Sequence, residues 1–210
     1  MPASPAPDRR RERSRRTRTR LVDAATRLFV EHGYLATTIE SVAEQAGVAV
    51  QTVYYVFGTK RALLDAVLDA SIAGDAEPVA VLDRPWFETL GSELDAATAV
   101  EHLVDAAVAI LARVAPVYEV VRRAAADPDV GALLDRNRTG RRADQRRLVE
   151  RLAAGGHLRS GLDVDTAADV VYALLNEEVF QMLTVDCGWP LDRFRQWATD
   201  LVGHQLTAVA

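Results

Sequence analysis

The stretch Thr38-Ile-Glu-Ser-Val-Ala-Glu-Gln-Ala-Gly-Val-Ala-Val-Gln-Thr-Val-Tyr-Tyr-Val-Phe57 reads as two short helices meeting at a glycine corner. Ile39, Val42 and Ala43 recur at helical spacing and make the inner face of the first helix. Ala46 is small, and Gly47 can take the positive φ that a tight interhelical turn requires. Val48 then fills the angle, while Val53 and Phe57 face inward from a second helix spanning Val50 to Phe57. This is the helix-turn-helix plan, whose second helix enters the major groove of DNA while the first crosses the backbone. Left outside on that helix are Val50, Gln51, Thr52, Tyr54 and Tyr55. Glutamine pairs with adenine edges, threonine donates or accepts, and methyl groups meet thymine methyls. Tyrosine hydroxyls and the Lys60 ammonium suit phosphate oxygens, which fix register rather than read sequence. Taken alone, the pattern would fit any short helix pair with a glycine corner.

Working outward, a helix starting at Thr17 carries Leu21, Ala24, Ala25, Leu28 and Phe29 on one face and stops at Gly33. Downstream, Gly58-Thr59 breaks the chain, and Thr59 can cap a longer helix through Leu63, Leu64, Val67 and Leu68. Residues 74–96 are less regular, with Pro78, Pro85 and Gly91. Further helices are expected at about 97–114, 116–126, 128–154, 165–186 and 190–208. Their punctuation is Pro116, Asp127-Pro128, Gly155-Gly156, Gly161 and Gly188-Trp189-Pro190. Asp165 falls at an expected N-cap and Pro190 at a first helical position. No stretch alternates with period two, so the fold class is all-α. Residues 1–16 mix Pro, Ala, Ser and Arg without periodicity and read as a disordered Arg-rich arm. The division expected is this arm, a helix-turn-helix domain over 17–64, and a helical body over 65–210.

Charge is distributed unevenly. Residues 1–70 hold eleven Arg and Lys against eight acids, a balance of +3; the remainder holds 14 against 22, a balance of −8, within a total of −5. A basic end on an acidic body suggests that only one end meets a polyanion. No apolar run is long enough to span a membrane, and the Arg-rich N-terminus lacks the apolar core of a secretory signal. Cys187 is the only cysteine, so no intrachain disulfide or CxxC metal site is possible, which fits a reducing cytoplasm. A single cysteine of this kind reads as a small buried apolar residue rather than a redox sensor. His32, His102, His157 and His204 lie far apart, and no Gly-rich phosphate loop or G-x-S-x-G elbow occurs, so neither catalysis nor a cofactor is expected.

Residues 17–64 resemble the DNA-binding region of the tetracycline-repressor (TetR) family. The features that match are Ala24-Ala-Thr-Arg-Leu-Phe29, Gly33-Tyr34, Thr37-Thr38-Ile39, Val42-Ala43, Ala46-Gly47-Val48, Thr52-Val53-Tyr54, Phe57, and Lys60 with Ala62-Leu63-Leu64. The resemblance implies a homodimer presenting two three-helix DNA-binding domains, with the remaining helices forming a ligand-binding and dimerising body. It implies phosphate contacts from Thr38, Tyr54 and Lys60, with Thr37 beside them, and base or backbone contacts from Val50, Gln51, Thr52 and Tyr55. Two positions depart from the family pattern: Ala49 stands where a serine usually caps the recognition helix, and Gln51 where a small residue is usual. Both leave the base preference open. Arg9–Arg20 holds eight arginines against Glu12 and resembles basic extensions that follow the backbone or enter the minor groove. A solvated tail that raises only non-specific affinity is the competing reading. Arg18 and Arg20 adjoin the first helix and are the contacts expected from this segment.

In the body, Tyr172, Asn176 and Phe180 fall at i, i+4 and i+8 of the expected helix 165–186. Asn176 within an aromatic stripe needs a partner, and a ligand could supply one. Trp86, Phe87, His102 and Tyr118 are further candidates for a pocket whose existence the resemblance implies. Val171, Leu175, Val179, Phe194, Trp197 and Leu201 form an apolar set on the last two helices, where the family dimerises. The implied partners are a pseudo-palindromic DNA operator, a small, largely apolar effector and a second copy of the chain, without a membrane. Helix 60–73 would transmit the effect of the ligand. A DNA-binding protein without a small-molecule switch fits the same residues.

Overall fold

The computed structural model describes residues 6–74, 87, 90, 92 and 95–208, with the side chains of residues 6–10 not described. Among the described residues no strand occurs. The helices are α1 (Ala6–Ala36), α2 (Ile39–Ala46), α3 (Val50–Phe57), α4 (Lys60–Ala73), α5 (Ala96–Ala124), α6 (Pro128–Ala154), α7 (Val164–Leu174), α8 (Glu177–Gln181) and α9 (Leu191–Leu206). A π-helical turn, Met182–Asp186, follows α8 directly. None of these helices is long and apolar enough to cross a membrane.

Two compact units result. The first comprises residues Met1–Pro78 and Pro116–Leu133, the second Val79–Ala115 and Leu134–Ala210. In the first, Leu21, Ala24, Ala25 and Phe29 of α1 are fully buried, as are Leu63, Leu64 and Val67 of α4. The inward set of α2 is Ile39, Val42, Ala43 and Ala46, and Val53 is the buried residue of α3. The expected boundary at residue 64 falls inside α4, whose Ala66, Val67 and Leu68 are buried as well.

α1 begins at Ala6, so residues 6–16, expected as part of a disordered arm, are helical; residues 1–5 of that arm lie outside the described residues. Arginine and glutamate are good helix formers, and Glu12 pairs with Arg15 one turn on at 3.1 Å. Gly33, at φ 80°, ends the regular part of α1 as expected.

In the second unit, α7 and α9 pack through Ala167, Ala168 and Val171 against Phe194, Ala198, Val202 and Leu206, all buried. Five expectations are corrected here. Pro116 does not end a helix, because Val114, Ala115, Val117 and Tyr118 on either side are buried and α5 runs through it. That burial exceeds the ~3 kcal/mol local cost of an interior proline. The helix expected over 165–186 breaks at Leu175-Asn176, where Asn176 is extended and accepts from the Val179 N–H at 2.8 Å. Asp163, not Asp165, caps α7, accepting from Thr166 N–H, and Pro190 stands at the N-cap of α9 rather than inside it. Cys187 is exposed, not buried.

Candidate nucleic-acid interface

Local chemistry sets the angle between α2 and α3. Thr38 and Ser41 form a capping box: Thr38 Oγ1 accepts from Ser41 N–H at 3.0 Å and Ser41 Oγ accepts from Thr38 N–H at 3.2 Å. Gly47 adopts φ 63°, ψ 46°, and Val48 N–H returns to Ala43 O at 3.0 Å. A Cβ on Gly47 would lie 2.9 Å from Arg20 Nη2. Arg20 occupies that space because its guanidinium donates to the carbonyls of Ala46 and, at 3.4 Å, Gly47. The arginine therefore lies at the C-terminus of α2, where the helix dipole favours a cation.

α3 buries Val53 and leaves Gln51, Tyr54 and Tyr55 exposed, with Val50 and Thr52 half-buried. Tyr55 is 85% exposed, far more than an aromatic ring gains from solvent alone. Ala49 provides no side-chain cap for this helix. Lys60 opens α4; its ammonium lies 4.4 Å from the centre of the Tyr34 ring and donates to Leu35 O at 3.3 Å. Burial holds its pKa below the ordinary lysine value. The Tyr34 hydroxyl is pushed up, first by burial and then by Asp127.

Thr37 is corrected. It is 2% exposed, and its hydroxyl donates to Leu28 O at 3.0 Å and Gly33 O at 2.9 Å, which ties down the end of α1. Thr38 remains at the surface. Arg18 is half-buried, its guanidinium 4.8 Å from the centre of the Phe57 ring. An open groove of about 980 Å³ lies beside the turn, lined by Glu12, Arg13, Arg16, Thr17, Arg20, Gly47, Val48, Ala49 and Thr52. Arg13, Arg16 and Thr17 were not expected there. The signal that could have found them is the 13, 16, 20 spacing, which is one stripe of a helix once the arm is read as helical.

The body candidates do not form the expected stripe. Tyr172 lies under the Arg141 guanidinium, 4.6 Å from its ring centre, and Phe180 meets Phe194 edge-on at 5.0 Å. Asn176 satisfies its amide locally, donating to Ala173 O at 2.8 Å as well as capping α8. Phe87 is buried, with Arg147 and Arg151 at 5.5 and 5.1 Å from its ring. His102 is exposed, Tyr118 is buried in the first unit, and Trp86 lies outside the described residues. Of the apolar set on the last helices, Val171, Leu175 and Phe194 are intrachain core, which corrects their assignment to a partner surface. Val179, Trp197 and Leu201 are half-buried. Met182, Val185 and Leu191 are exposed apolar residues of the same region, with Val185 at 71%.

The fold and this turn define the class: an all-helical protein with an N-terminal helix-turn-helix. Residues 21–67 match the family described as bacterial regulatory proteins, tetR family. It is 37% identical over 62 residues to the transcriptional regulator TtgR of Pseudomonas putida, covering 30% of each chain. It is 32% identical over 87 residues to the transcriptional repressor KstR2 of Rhodococcus jostii, covering 41% of this chain and 39% of that one. These matches thus span well under two thirds of the relatives' length. The fold of the transcriptional regulator FadR from Bacillus subtilis, solved in complex with stearoyl-CoA, superposes with a TM-score of 0.66 at 19% identity, covering 87% of this chain and 96% of that one. That likeness shows the fold alone.

Proposed function

We propose that the chain is a DNA-binding transcriptional regulator: a homodimeric repressor that leaves a pseudo-palindromic operator when a small, largely apolar ligand binds its helical body. The observation that carries this reading is the outer face of α3, where Gln51, Tyr54 and Tyr55 stand in solvent on a helix buried chiefly through Val53. Hydrogen-bonding and aromatic side chains held so on a braced helix match what major-groove readout requires. Lys60 and Thr38 flank that face and supply contacts to phosphate; Arg20 braces the turn from behind. KstR2 is named a repressor and FadR was solved with an acyl-CoA, which supports repression and an apolar effector. Val179, Met182, Val185, Leu191, Trp197 and Leu201 offer an apolar surface for a second copy. Ligand binding alters the spacing of the paired α3 helices, with α4 passing on the change, so that they no longer fit successive major grooves.

Fluorescence anisotropy with duplex from the gene's own upstream region, against a scrambled duplex, tests the reading. A preference of about 10³-fold or more is expected, and it should collapse in Gln51→Ala and Tyr55→Ala. Equal affinity of the wild type for both duplexes would count against autoregulation. Retention of the full preference by both variants would contradict the role of α3.

A further inference from the structure

We infer that the N-terminal extension of α1 is a rigid phosphate clamp: Arg13 and Arg16 line a preformed groove beside the turn before α3 and hold one strand of a DNA backbone there. This rests on the DNA-binding reading above and adds the surface and the atoms that carry its electrostatic part.

Five arginines of this region are distinguished by what they touch. Arg15 is engaged by Glu12, through Nε at 3.1 Å and Nη2 at 3.2 Å. Arg18 is stacked on Phe57 at 4.8 Å, and Arg20 is bound to the carbonyls of Ala46 and Gly47. Arg13 is exposed and, among the described residues, makes no hydrogen bond, ion pair or ring contact; Arg16 is alike. The spacing 13, 16, 20 puts these two cations on the stripe of α1 that carries Arg20, and Arg20 is anchored to the turn. The stripe therefore points along the groove toward Ala49 and Thr52 of the α3 entrance, both of which line it.

The acid in the same groove does not cancel them. Both oxygens of Glu12 accept from Arg15, so this pair is close to neutral as a unit. Two unpaired guanidiniums on a helical frame lose less conformational freedom on binding than the same groups on a disordered arm. Guanidinium also matches the two-oxygen geometry of a phosphate. The clamp reads no bases; it adds counterion release, and with it affinity and salt dependence, at a fixed distance from α3.

The test uses the full chain and a mixed-sequence duplex of about 30 base pairs, with affinity followed against salt concentration. Each phosphate contact contributes about 0.9 to the slope of log affinity against log salt, so Arg13→Ala/Arg16→Ala should lower the slope by about 2. The Arg13→Lys/Arg16→Lys variant should restore the slope, and Arg11→Ala, an exposed arginine of α1 outside the groove, should leave it nearly unchanged. Alanine favours helix, and far-UV circular dichroism should show α1 intact in every variant. An unchanged slope in the double alanine variant, or an equal loss in Arg11→Ala, overturns the clamp in favour of a diffuse charged tail. A wild-type chain that binds no duplex at any salt overturns the DNA-binding reading itself.

Discussion

Gly47 does two jobs, and they separate in a substitution. Its φ of 63° is open to glycine at little cost, whereas a side chain there costs about 1–2 kcal/mol. A Cβ would also meet Arg20 Nη2 at 2.9 Å. The arginine is flexible enough to move, but moving gives up its bonds to Ala46 and Gly47. Gly47→Ala should therefore destabilise the chain by about 1–3 kcal/mol, read by chemical denaturation. Arg20→Ala should cost less and weaken DNA binding through the turn. Equal stability of Gly47→Ala and wild type would show that the corner tolerates a side chain. At this scale the sequence was legible wherever a single residue type has one local use: Gly47 as a corner, Thr38 and Thr59 as caps. Thr37 was not legible, because its neighbour Thr38 has the same hydroxyl and only burial separates the two.

Among the elements, α6 makes several ion pairs to α7 and α8, and these differ greatly in what they contribute. Arg138–Glu178, Arg142–Asp169 and Arg146–Asp165 are substantially exposed pairs, of a kind worth about 0–1 kcal/mol each. Arg141–Glu177 is different: the carboxylate side chain is 4% exposed and the guanidinium 15%, and Gln145 beside them donates to Leu175 O at 3.2 Å. Removing one partner of such a pair leaves a buried charge uncompensated. Glu177→Ala should lower stability by about 3 kcal/mol or more, and Asp169→Asn by less than about 1, in parallel urea titrations. Similar small losses for both would mean that water reaches Arg141. Element type was legible from helical periodicity, and the failures share a cause. Residues 6–16 have no apolar face, so nothing periodic marked α1 there. Pro116 has the local habit of a helix break and Asn176 falls at helical spacing, while burial on both sides of the first and a cap at the second decide the outcome.

Over the full chain, the division of charge has a place in the structure. The basic end of the chain is where α1 and α3 border the groove, with Arg13 and Arg16 unpaired and Tyr55 in solvent. The helix-turn-helix was legible because it is a local motif. The surface proposed for a second copy was less so, since Val171, Leu175 and Phe194 share their apolar character with Met182, Val185 and Leu191, and only packing tells core from surface. Selection from a pool of random duplexes tests the central claim most directly. The account predicts enrichment of a two-fold symmetric motif with half-sites about one DNA turn, ~10 base pairs, apart, lost in Gln51→Ala/Tyr55→Ala. Recovery of sequences no different from the starting pool would contradict it.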